Sequence, residues 1–204
     1  MSVQFVFAYA LGTGHWLTND GQSIIPPIAY TAFAPVALFV GGYLFSTRFR
    51  DFVLAQDIRT ITMMQHWRVI GLGFLLLYAH NVLPGFFAWP AGVGDVAVGL
   101  TTILVIARMD RDASYVTTPS FMWFHYAGLA DFAVAVVTAG LAARAFPGLI
   151  PEGVTTAPVD VWPLNVFPSF LVPAFIILHL TVLLKVRELR RSAAGQNNTS
   201  LQTA

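Results

Sequence analysis

Five long apolar runs constrain this chain more than any other feature of its sequence. They lie near residues 24–46, 62–82, 92–108, 121–145 and 162–187. A helix needs about 20 such residues to cross the hydrocarbon core of a bilayer. The third run is short, and the fifth carries Pro168 and Pro173, which predict a kink or break near its start. The sequence therefore predicts an all-α, polytopic membrane helix bundle of about five transmembrane helices.

Composition favours the same class and excludes several chemistries. Of the 204 residues, 56% are hydrophobic and only 10% are charged, whereas about a quarter are charged in soluble domains. Cysteine is absent, which excludes disulfides, thiolate metal sites and iron–sulfur clusters. The sequence contains no nucleotide-binding glycine motif and no H-E-x-x-H zinc motif, and its basic residues do not form a nucleic-acid-binding pattern. We therefore expect no metal site and no nucleic-acid partner.

The positions of the basic residues predict an orientation. Ten of the eleven Lys and Arg residues fall on one side of the predicted topology, and only Arg144 falls on the other. Lys and Arg near helix ends are retained on the cytoplasmic side. The prediction is an integral plasma (inner) membrane protein with its N-terminus outside and its C-terminus in the cytoplasm. Its partners are then the lipid bilayer and further membrane subunits, either copies of itself or members of a complex.

The two ends of the chain differ from the central runs. Residues 2–16 are apolar, but this segment is too short for a full span and contains Gly12, Gly14 and His15. We predict an interfacial or re-entrant helix on the outer face. Residues 1–191 form a single membrane domain in this prediction, and the polar residues 192–204 form a disordered cytoplasmic tail.

Asp131 is the polar residue that lies deepest in a predicted span. It follows Phe121 by ten residues, or about 15 Å of helix, which places it near mid-membrane. A carboxylate there costs at least about 2.5 kcal/mol unless it is protonated, hydrated or paired. Candidate partners at similar depth are Arg68 on the second span and His179 on the fifth, with His66 and His125 as further members. Such a cluster is either a structural salt bridge or a functional site.

A second polar group is predicted toward the outer face. It contains His80 and Asn81 at the end of the second run and Asp95 near the start of the third. A carboxylate is favoured at a helix N-terminus, where backbone N–H groups are free. We predict that Asp95 caps the third helix, with an outward-facing polar vestibule as the alternative.

The spacing of His66 and His80 has a second interpretation. Fourteen residues of α-helix place both rings near one face at opposite depths. This spacing resembles the ligand helices of b-type cytochromes, and the resemblance implies haem b held by His66 together with His179 or His125. The alternative is that both histidines are helix-end residues, in which case no cofactor is bound.

These patterns leave several functions open. The first is a transporter or channel-like protein that handles protons or a small solute through a polar core. The second is a membrane-bound haem electron carrier. The third is an intramembrane enzyme that uses Asp131 and His179 as acid and base, and the fourth is a subunit of a larger membrane complex. The sequence alone assigns no catalytic residue.

Overall fold

The computed structural model describes residues 2–18, 26–145 and 153–202, and within these ranges all regular secondary structure is helical. The α-helices are α1 (Ser2–Thr13), α2 (Pro27–Phe45), α3 (Thr47–Ala55), α4 (Ile58–Met64), α5 (Leu72–Ala79), α6 (Gly85–Arg111), α7 (Pro119–Gly140) and α8 (Val172–Gln202). The predicted all-α class is confirmed.

Within the part of the chain that the structure describes, four helical stretches are long and apolar enough to span a membrane. They are Pro27–Phe45, Gly85–Arg111, Pro119–Ala143 and Phe167–Ala193. Their outer surfaces expose large apolar side chains, including Leu38 (76% exposed), Phe45 (91%) and Leu104 (63%). Soluble monomers rarely expose extensive apolar patches. The protein is a membrane-embedded helical bundle.

The second predicted span differs from the expectation of one regular helix. Residues 58–79 are helical throughout, but they form α4, a 3-10 helix over Gln65–Gly71, and α5. Among the described residues, four helical stretches therefore have spanning length where the sequence predicted about five, and the second predicted span consists of three shorter helices. The segment starts at a defined cap, because Asp57 Oδ2 accepts a hydrogen bond from the Thr60 backbone N–H at 2.7 Å.

Two helix boundaries also differ from the sequence prediction. Helix α6 begins at Gly85, well before the predicted start at residue 92, so part of the expected loop is helical. Helix α8 continues to Gln202, whereas a disordered tail was predicted from Ser192. Ala193 and Ala194 favour helix continuation. The irregularity expected near Pro168 takes the form of a π-helix over Phe167–Leu171.

Helix α1 is too short to cross the hydrocarbon core of a bilayer. Its 12 residues extend about 18 Å, and a bilayer core is about 30 Å thick. It is held against the start of the last span, since Asn165 Nδ2 donates to the Ala8 carbonyl at 2.7 Å and Tyr9 meets Trp162 edge to face at 4.9 Å. Its position relative to the bilayer surface stays a prediction.

Apart from Arg68, the basic residues whose side chains are described lie at one end of the bundle, here called the basic end. Arg59 pairs with Asp110 at 2.7 Å, which joins the start of α4 to the end of α6. Lys185 Nζ donates to the Gln56 carbonyl, which joins α8 to the turn before α4. The Arg144 side chain and residues 146–152 lie outside the described part of the chain.

Two apolar clusters occupy the bundle core. The basic-end cluster contains Ile58, Ile61, Val98, Val105, Tyr115, Phe121, Phe124, Val182 and Val186. The far-end cluster contains Phe74, Leu83, Phe87, Ala88, Ala91 and Ala142. Along α6, Asp95 lies between Ala91 of one cluster and Val98 of the other. A polar layer therefore separates the two clusters.

Candidate functional site: a buried arginine network

Arg68 is the centre of the polar layer, and its side chain is fully buried. Its Nε donates to Asp95 Oδ1 at 2.7 Å, and its Nη2 donates to Asp131 Oδ2. Its Nη1 donates to the Gly128 carbonyl and to His179 Nε2, each at 3.2 Å. The guanidinium carbon also lies 3.9 Å from the centre of the Phe132 ring. This dense set of partners offsets the cost of burying the charge.

The 3-10 segment aligns Arg68 with other buried groups. A 3-10 helix has three residues per turn, so every third side chain lies on the same line. Gln65, Arg68 and Gly71 are spaced by three, and all are buried. Gln65 Nε2 donates to the Phe175 carbonyl of α8 at 3.3 Å. The local helix geometry therefore presents one polar line to the bundle interior.

Three glycines make room for the network. A Cβ on Gly71 would lie 2.8 Å from Asp95 Oδ2, and a Cβ on Gly94 would overlap the Asp131 carboxylate. A Cβ on Gly128 would overlap His179 Nε2 and lie 3.1 Å from Arg68 Nη1. Any side chain at these positions would displace an ionic or polar group. Close helix approach at small residues is common in membrane bundles. Here the glycines leave the space that the charged and polar side chains occupy.

His125 and His179 extend the network toward the basic end. Both rings are fully buried, and their Nδ1 atoms lie 2.8 Å apart. Arginine has no acceptor, so His179 Nε2 accepts from Arg68. A neutral His179 then carries its hydrogen on Nδ1 and donates it to His125 Nδ1. His125 consequently carries its hydrogen on Nε2, which is buried and has no partner among the described residues.

The structure brings together Arg68, Asp131, His179 and His125, which the sequence analysis grouped by depth. It also adds Asp95. The prediction that Asp95 caps a helix is wrong, because α6 begins ten residues earlier at Gly85 and Asp95 binds Arg68 in mid-helix. Pro84, Gly85 and Pro90 are residue types that are typical of loops, and for this reason the sequence analysis placed the start of α6 too late.

The remaining predicted site residues lie apart from the network. His66 Nδ1 donates to the Gly99 carbonyl at 2.9 Å. His80 and Asn81 are exposed at the turn after α5, where Asn81 has a φ of 57°. The outer polar group of His80, Asn81 and Asp95 is therefore not assembled.

The geometric premise of the haem interpretation also changes. The 3-10 segment adds about 20° of rotation per residue relative to an α-helix. This changes the offset between His66 and His80 around the helix axis from about 40° to about 60–80° in the opposite sense, so the two rings are less well aligned than a regular α-helix would place them. Within the described residues, His66 makes no ring contact with His125 or His179. Haem binding by these histidines stays a prediction.

The fold and site define an α-helical integral membrane protein built around one buried arginine. Residues 25–187 match the family model of DUF8737, a domain of unknown function. The match covers more than half of the 204 residues, and the chain belongs to this family. It includes the whole network from Arg68 to His179. No curated protein and no solved structure matches the chain.

Proposed function

We propose that this protein binds and moves protons through the Arg68 network, as a small transporter or channel-like protein of the inner membrane. The observation that carries this proposal is a charge imbalance. One guanidinium binds two carboxylates, Asp95 and Asp131. With all three groups ionised and both histidines neutral, the buried layer has a net charge of −1. One proton makes it neutral.

A low-dielectric interior favours a neutral cluster, whereas water near the carboxylates favours release of the proton. The two carboxylates are positioned for such exchange. The Arg68 side chain is fully buried, but the Asp95 and Asp131 side chains retain 15% and 14% exposure. The guanidinium is a fixed charge, and the carboxylates are the exchangeable groups. Asp131 is the main proton carrier in this proposal.

The histidine pair offers a continuation toward the basic end. Its hydrogen-bond direction runs from His179 to His125. A proton passes along the pair if His179 Nε2 takes up a hydrogen in place of its hydrogen bond from Arg68, the shared hydrogen moves from His179 Nδ1 to His125 Nδ1, and His125 releases its hydrogen from Nε2. The apolar clusters on both sides of the polar layer restrict entry of water. The described conformation is therefore closed toward both ends of the bundle in this mechanism, and proton passage across the membrane requires both clusters to open, together or in turn.

The test is proton flux in liposomes that contain the purified full chain and a trapped pH-sensitive dye. Asp131→Asn keeps the side-chain shape and removes the exchangeable proton, and we expect at least a tenfold loss of flux in a folded bundle. The matched control is Asp110→Asn, which removes an exposed carboxylate paired with Arg59. Equal flux in wild type, Asp131→Asn and protein-free liposomes would overturn the proposal and leave a structural ion pair.

A further inference from the structure

We propose that the groove between α7 and α8 at the basic end binds an anionic phospholipid. The groove has a volume of about 540 Å³. Its apolar wall is formed by Met122, Tyr126, Leu180, Leu183 and Leu184, and its end is formed by Arg187, Arg190 and Arg191. This site is independent of the arginine network and of the proton proposal.

The shape of the wall fits an acyl chain. Leu180, Leu183, Leu184 and Arg187 follow one another at spacings of three, one and three, so they share one face of α8. The distance from Leu180 to Arg187 is about 10 Å along the helix. A lipid with its phosphate at Arg187 therefore has about two turns of apolar helix beside its chain.

The charges at the end of the groove select an anion. Three arginines line this end, and no carboxylate among the described residues does. Glu188, which is adjacent in sequence, lies 3.9 Å from Arg191. Arg190 donates to the Thr117 carbonyl, which holds it against the turn before α7. Arg187 has no hydrogen-bond or ion-pair partner within the described residues and is exposed. A free guanidinium beside a fixed one forms a binding site for phosphate oxygens.

We assign the groove to a phospholipid rather than to a second copy of the chain, because its apolar wall and its basic end match the acyl chain and the anionic headgroup of a lipid. The groove runs from the apolar belt of a spanning helix to its basic end, which is the path of a lipid from tail to headgroup. Basic pockets between membrane helices bind anionic headgroups for this reason. The arginines would repel the same basic surface of another copy.

The test uses the full chain purified in a neutral detergent and stripped of lipid. Thermal stability is measured during titration with phosphatidylglycerol, phosphatidylcholine or inorganic phosphate, since a ligand of the native state raises the unfolding temperature. We expect saturable stabilisation by phosphatidylglycerol alone. Stabilisation by phosphatidylcholine to the same extent, or by inorganic phosphate alone, would overturn a site that needs both an anionic headgroup and a chain.

Arg187→Gln is the site variant and Arg48→Gln is the matched control, because Arg48 is exposed on α3 and does not line the groove. We expect Arg187→Gln to weaken phosphatidylglycerol binding about fivefold, the effect of one basic residue near an anionic surface. Arg187→Lys keeps the charge and should restore most of the affinity. Equal weakening by Arg48→Gln, or phosphatidylglycerol-independent dimers that bury the groove, would contradict the proposal.

Discussion

Asp95 and Asp131, from neighbouring helices, bind two different nitrogens of the same guanidinium. Asp95 meets Nε and Asp131 meets Nη2 of Arg68. Each carboxylate therefore depends on Arg68, whereas Arg68 keeps one carboxylate when the other is lost. This asymmetry makes the three charges unequal in their effect on stability.

Arg68→Gln is consequently expected to be the most damaging single change in the network. It leaves two carboxylates without their cation, and breaking a buried pair costs about 3–5 kcal/mol. Asp95→Asn and Asp131→Asn should each cost less, because the other carboxylate still neutralises Arg68. Unfolding of the detergent-solubilised protein measures the order. The triple variant Arg68→Gln/Asp95→Asn/Asp131→Asn should recover much of the loss. An Asp95→Asn effect as large as that of Arg68→Gln would contradict this ranking.

Gly128→Ala tests the packing around the histidine. A Cβ there would overlap His179 Nε2, and overpacking a tight interior costs about 1–3 kcal/mol. The control is Gly140→Ala on the same helix, where nothing lies within 4 Å of the added atom. Alanine is favoured over glycine in helices by about 1 kcal/mol, so the control should be neutral or stabilising. Thermal unfolding in detergent compares the two variants. Equal effects would show that close packing of His179 against Gly128 is unimportant for stability.

The two buried histidines should be opposite tautomers when neutral. The donor direction from Arg68 predicts Nδ1–H for His179 and Nε2–H for His125. Nitrogen-15 NMR of histidine-labelled protein distinguishes the two forms, and His179→Gln and His125→Gln assign the signals. A neutral His179 with its hydrogen on Nε2 is incompatible with the hydrogen bond to Arg68.

The cap of α4 should show a pH dependence of known sign. Hydrogen bonds from the Thr60 side chain and backbone lower the pKa of Asp57. Because the folded-state pKa is below the unfolded value, the ionised cap stabilises the protein above about pH 4, and this contribution is lost as the pH falls through the folded-state pKa. Asp57→Ala should cost about 1 kcal/mol at neutral pH and progressively less in acid. Asp57→Asn keeps a neutral cap, and its stability relative to Asp57→Ala should not vary with pH in this range.

The predicted orientation can be checked independently of activity. A reporter that fluoresces only in the cytoplasm should be bright when fused after Ala204 and dark when fused before residue 2. The basic end of the bundle then faces the cytoplasm. The reverse pattern would place the groove arginines on the outer side and contradict the topology derived from the basic residues.

Depth along each apolar run grouped Arg68, Asp131, His125 and His179 from the sequence, but it also placed His66 with them, which binds the Gly99 carbonyl instead. A charged residue in mid-membrane needs a partner, and few candidates existed. Asp95 was assigned to a helix terminus because Pro84, Gly85 and Pro90 obscured where α6 begins. The contact between His125 and His179 depends on how two helices distant in sequence rotate against each other. Helical periodicity within one segment does not determine that rotation.

The 3-10 segment Gln65–Gly71 also lacks a distinctive sequence signal, yet it sets the register of the whole second segment. Its seven residues turn by about 120° each, whereas α-helical residues turn by about 100° and rise about 0.5 Å less. Conversion of this segment to an α-helix would therefore rotate α5 by about 140° relative to α4 and draw the two about 3.5 Å closer. Either Arg68 would leave its carboxylates or Phe74 would leave the far-end cluster. The 3-10 geometry of this segment therefore couples the position of the Arg68 charge to the rotation of α5.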